Sequence, residues 1–135
     1  MKKTPPMVFA IALSVIAAAG ASQAKPALKD VAYVREGIIT TGIAYEISQK
    51  CSSLSPRYFR GISYLNSLKD HAAGLGYSDS EIDGYTNDKA EENRLKAVAR
   101  VRLTEMGAVE GNAASYCAVG QAEIVKNSDI GRLLR

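Results

Sequence analysis

The side chains that could do chemistry are few. His71 is the only histidine, and histidine is the residue type most used as an acid or base near neutral pH. Ser67 precedes it by four positions and Tyr64 by seven, so on a helix the three share a face. A serine and a histidine so placed are the first two parts of an activated nucleophile. The rest is missing: no glycine-flanked serine makes a nucleophile elbow, and two side chains on one helix make no oxyanion hole. His71 is expected at the surface or its boundary. A small hydrolase or modifying enzyme built on it is the alternative function.

The acids Asp79, Glu81 and Asp83 suggest metal only superficially, because the run lacks the glycine and closing glutamate of a calcium loop. Ser78-Asp79-Ser80-Glu81 reads as a capping box instead, with Tyr77 and Ile82 placed as its hydrophobic staple. No metal site and no cofactor are expected. Arg94, Lys96, Arg100 and Arg102 crowd one segment beside Glu91 and Glu92, a pattern that fits a solvated face with Glu92 and Lys96 spaced as an i,i+4 pair. A site for an acidic partner is the competing reading. Tyr58, Tyr64, Tyr77, Tyr85 and Tyr116 fall in or beside amphipathic segments, where a tyrosine buries its ring and keeps its tip polar.

Cys51 and Cys117 are the two cysteines. They lie far apart, no C-x-x-C occurs, and one histidine is poor support for a metal or redox pair. A structural disulfide is expected, with an intermolecular bridge as its competitor. Closing a loop of that length would stabilise the fold by roughly 4 kcal/mol on the chain-entropy model.

The compartment follows from the N-terminus. Lys2 and Lys3 precede the apolar run Met7 to Ala19, Gly20 breaks it, and Ser22-Gln23-Ala24 offers small residues to a signal peptidase. Cleavage is expected after Ala24, giving a signal peptide over 1–24, one domain over 25–135, and a periplasmic location. The apolar run is short of the roughly 20 residues needed to span a bilayer, and no later segment is long enough. Losing Lys2 and Lys3 from 17 basic residues, against 14 acidic ones, leaves a formal charge of about +1. A near-neutral domain has no long-range field suited to nucleic acid or anionic membrane, and both are discounted as partners.

Hydrophobic periodicity then supplies the scaffold. A first helix spans Val31 to Gln49, weakened by Gly37 and Gly42. Ser55 as cap and Pro56 at the first position open a second, whose stripe is Ile62, Leu65, Leu68, Ala72 and Leu75. A short third helix runs from Asp79 to Tyr85. A fourth spans Lys89 to Met106 with Asp88 as cap, and a fifth runs from Asn112 to Lys126. The result is an all-α fold, a compact bundle of four or five helices closed by one disulfide. A tail, residues 128–135, carries Ile130, Leu133 and Leu134 between Arg132 and Arg135. Docking on the bundle is its favoured fate, and an exposed partner-binding segment made of Ile130, Arg132, Leu133, Leu134 and Arg135 is the alternative.

Two stretches resemble a known family. Leu75-Gly76-Tyr77-Ser78-Asp79-Ser80-Glu81-Ile82, and Tyr116-Cys117-Ala118-Val119-Gly120-Gln121-Ala122-Glu123-Ile124 followed by Ser128-Asp129-Ile130-Gly131-Arg132-Leu133-Leu134, are similar to small exported alphaproteobacterial proteins catalogued only as a domain of unknown function. The resemblance covers nearly the whole mature chain. It implies periplasmic export and a helical fold with paired cysteines, and it implies no activity. The leading functional expectation is a non-enzymatic periplasmic protein that binds another protein or an envelope component. A stress chaperone is a third class.

Overall fold

The structure is a computed structural model that describes residues 24–135; the expected signal segment lies outside that range apart from Ala24. The central helix, α1, runs Ala32–Lys50. Ile39, Ile43 and Ile47 recur every four residues along it, and all three are buried. Packed on α1 are α2 (Tyr58–Gly74), α4 (Lys89–Glu105), α5 (Ala113–Lys126) and the single turn α6 (Asp129–Arg132). Helix α3 (Asp79–Thr86) lies against α2 and a 3-10 turn at Leu28–Asp30. Among the described residues the fold is all-helical, as expected, with the last turn as a sixth α-helix.

Local chemistry explains most boundaries. The capping box is present in both directions: Glu81 N–H donates to Ser78 Oγ at 3.2 Å, and Ser78 N–H donates to Glu81 Oε2 at 2.7 Å. Asp88 accepts from the backbone of Ala90 and Glu91, and Asn112 accepts from Ser115. Gly76 (φ 89°) and Gly107 (φ 110°) sit just beyond α2 and α4 in the left-handed region, where a side chain would be strained.

The start of α2 departs from expectation. Ser55 and Pro56 do not open it; the helix begins at Tyr58, with no side-chain cap. The cause is tertiary. Ser55 N–H donates to the Arg135 carbonyl at 2.7 Å, Arg135 N–H donates back to Ser55 at 2.9 Å, and Arg57 N–H donates to Leu133 at 2.8 Å. Pro56 and Leu134 form an isolated antiparallel bridge. The segment that would have capped α2 is held extended by the tail.

The tail is therefore part of the bundle. Leu134 is 1 % exposed and Leu133 5 %, both in the cluster with Ile47, Leu54, Leu103 and Tyr116. Ser128 caps α6 through Gly131 N–H, and Gly131 lies so close to α5 that a methyl there would collide with the Glu123 carbonyl. In this docked state a partner cannot reach Leu133 or Leu134; Arg132 and Arg135 stay exposed and Ile130 is half-buried. Docking on the bundle, the favoured fate, is what the structure shows for these two leucines, which complete the core.

Cys51, at the end of α1, is bonded to Cys117 in α5, with Cα atoms 5.1 Å apart. The bridge is intramolecular. Gly37, expected only to weaken α1, is a packing site: a Cβ there would stand 2.5 Å from Leu68 Cδ2. At the other end a strap closes a second cluster of Leu28, Val34, Ala72, Tyr77 and Ile82. Tyr77 Oη donates to the Pro26 carbonyl at 2.6 Å, and Lys25 Nζ lies 4.6 Å over the Tyr77 ring while bonding Glu81 at 2.9 Å.

Candidate ligand-binding cleft

Helices α1 and α4 approach closely where their residues are small. A Cβ on Gly42 would lie 3.8 Å from that of Ala99, an ordinary contact. Gly42 and Ala99 both line a cleft of about 530 Å³ that opens between the two helices here. Its apolar lining comes mainly from Ile38, Ile39, Leu95 and Ala99, with Leu65 of α2 and Tyr85 of α3 at its sides. Leu65 belongs to the stripe expected to be buried on α2, yet only Leu68 and Ala72 of that stripe are; Ile62, Leu65 and Leu75 remain exposed. A smaller apolar recess of about 190 Å³ lies beyond, sharing Ile38, Leu65, Tyr85 and Thr86 with the first.

The rim is charged but balanced. Arg100 faces Glu46 at 3.7 Å, and Lys96 bonds Glu92 at 2.6 Å. Arg102 pairs with Glu36 at 2.5 Å, farther along the α1–α4 contact. The cationic crowd on α4 is thus neutralised residue by residue, as its reading as a solvated face requires. Hydrogen bonds from Lys89 and Lys96 hold the Glu92 carboxyl down at about 2. Deeper in, Glu91 is nearly buried, takes two bonds from Arg94 at 2.6 and 2.8 Å, and accepts from Tyr85 Oη at 3.4 Å. The Arg94 bonds keep its carboxyl below the usual range.

Burial, reinforced by the negative charge of Glu91, pushes the Tyr85 phenol up to about 12. A phenol harder to ionise in the folded than in the unfolded state stabilises the fold below the unfolded pKa, near 10, and that stability is lost as pH rises towards 12. Tyr85→Phe should therefore flatten the fall in melting temperature between about pH 10 and pH 12. A wild-type slope retained by the variant would assign the alkaline loss to other groups.

The other candidate residues lie elsewhere. His71 is exposed on α2, its ring 4.3 Å from that of Tyr33 at a 43° tilt. Ser67 Oγ donates to the Tyr64 carbonyl at 2.6 Å, so the structure does not assemble the pair. Glu81 is used by its cap and Lys25, and among the described residues no three His, Cys, Asp or Glu side chains are grouped to hold a metal.

The family model of DUF5333, a family of unknown function, matches residues 26–135. The chain belongs to DUF5333. No curated protein and no solved structure matches it. The match takes in both sides of the cleft, the disulfide and the docked tail of this DUF5333 protein. Periodicity alone missed the cleft, because a stripe that lines an open groove has the spacing of one that faces a core.

Proposed function

We propose that this DUF5333 protein is an exported, periplasmic, non-enzymatic binding protein that holds an envelope component bearing an acyl-like apolar chain in the α1–α4 cleft. The observation that carries this is the cleft itself. Its volume of about 530 Å³ falls in the roughly 300–1,000 Å³ range of small-molecule sites. The smaller apolar recess that shares Leu65 and Tyr85 with it extends the apolar surface beyond the cleft, which suits a chain-like molecule. The paired rim adds little net charge, so apolar contact supplies the attraction and the polar rim sets orientation. The Cys51–Cys117 bond fits an oxidising compartment, where such bonds persist. No helix of the described residues is long and apolar enough to cross a membrane.

Gly42 provides the test, since it lines the cleft and has room for a Cβ. Gly42→Ala should keep binding of the neutral fluorophore N-phenylnaphthylamine and raise helix stability by up to about 1 kcal/mol. Gly42→Leu should fill the cleft and abolish the fluorescence gain while the protein still melts cooperatively. Equal probe binding by Gly42→Leu and wild type, or none by wild type, would overturn the reading.

A further inference from the structure

We infer that a second surface, at the junction of α2 and the tail, docks the protein on an anionic phospholipid bilayer. The first turn of α2 projects two aromatic rings outward: Phe59 is 90 % exposed and Tyr58 68 %. Ile62 follows one turn on at 57 %. Three arginines share a recess with the two rings, and Arg132 adjoins it. Arg57 Nε donates to the Leu134 carbonyl at 2.7 Å and Arg60 to the Arg132 carbonyl at 3.3 Å, while Arg135 lines the same shallow recess of about 560 Å³ as Tyr58, Phe59 and Ser63.

The contrast with α4 decides the meaning of these charges. There each cation meets a carboxylate; here Arg57, Arg60 and Arg135 form no ion pair among the described residues, and only Arg132 does, with Asp129. Arg57, Arg60 and Arg135 therefore carry positive charge that no ion pair among the described residues offsets, a local excess that the near-neutral total conceals. Bonds to backbone carbonyls hold Arg57 and Arg60 in place without neutralising them, leaving donors for phosphate oxygens.

An anionic bilayer matches this chemistry best. Exposed aromatic rings beside arginines seat at the level of lipid headgroups, with the rings entering the acyl boundary and the guanidinium groups on phosphates. An acidic protein would need about 800 Å² of complementary surface on this side, and a few protruding residues on a helix end offer much less. A bilayer requires no such match. The discount placed on anionic membranes from net charge is thereby revised: charge clustering, not the sum, governs a short-range contact, with attraction confined to about a Debye length.

Co-sedimentation of oxidised protein, residues 25–135, with vesicles tests this. Vesicles containing phosphatidylglycerol should capture the protein at least about tenfold better than phosphatidylcholine vesicles, and the preference should fall with added salt. Phe59→Ser and Arg135→Glu should each reduce capture at least about fivefold at unchanged melting temperature, since both side chains are exposed. Equal capture by the two vesicle types, or wild-type capture by Phe59→Ser, overturns the proposal. So does binding to soluble poly-aspartate without binding to vesicles, which would assign the surface to an acidic protein. The α1–α4 cleft takes no part in this test.

Discussion

Removal of residues 128–135 should leave a protein without a cooperative thermal transition. Leu134 and Leu133 fill the space among Ile47, Leu54 and Leu103, and truncating one such buried leucine typically costs about 2–5 kcal/mol. The tail also makes backbone hydrogen bonds with Ser55 and Arg57, each worth about 1 kcal/mol net when exchanged for water. A domain of this size holds about 5–15 kcal/mol in all, so losing both leucines and the ladder exceeds what it can spare. Milder substitutions keep the expectation measurable. Leu134→Ala should lower the melting temperature by on the order of 10 °C or more. Gly131→Ala should do similar damage by driving a methyl into the Glu123 carbonyl. A truncated protein that melts within a few degrees of the full domain would show that the docked tail contributes little.

Reduction of the Cys51–Cys117 bond is the second large perturbation. The bridge spans a sequence separation of 66 residues, for which the chain-entropy model gives roughly 4 kcal/mol. Reduced protein, or a Cys51→Ala/Cys117→Ala double variant, should melt on the order of 15 °C lower, with its helical signal intact in the cold. An unchanged melt after confirmed reduction would make the bond energetically idle. The two perturbations should not be additive. Residues 51–57 are held by the disulfide at one end and by the tail at the other, so loosening either weakens the grip of both.

What could be read in advance was local. Ser78 and Glu81 announce a helix start because the bonds that make a capping box join residues three apart, and Asp88 and Asn112 behave likewise. Ser55 and Pro56 carry an equally good local signal and were overridden, since the competing bonds come from Leu133 and Arg135. Gly37 reads as a weak point in a helix, and only the position of Leu68 across the interface makes it a contact. The cleft was hidden for a related reason. Leu65 and Leu68 are equivalent to any periodicity, and the distinction arises because Leu68 meets Gly37 of α1 whereas Leu65 borders the cleft. The basic corner was half visible: in Arg57-Tyr58-Phe59-Arg60 two arginines flank two aromatic rings, but Arg132 and Arg135 join it only through folding.

The pairing of Ser55 with Arg135 also constrains the order of events as the chain is made. A polypeptide delivered from its N-terminal end, at a ribosome or through a pore, presents the residues of α1 and α2 well before the C-terminal segment that packs on Leu54 and Ile47. Those residues must wait with their apolar faces open, because their covering lies at the far end of the domain. Its closure depends on this long-range pairing, a kind of contact that costs folding speed relative to local ones.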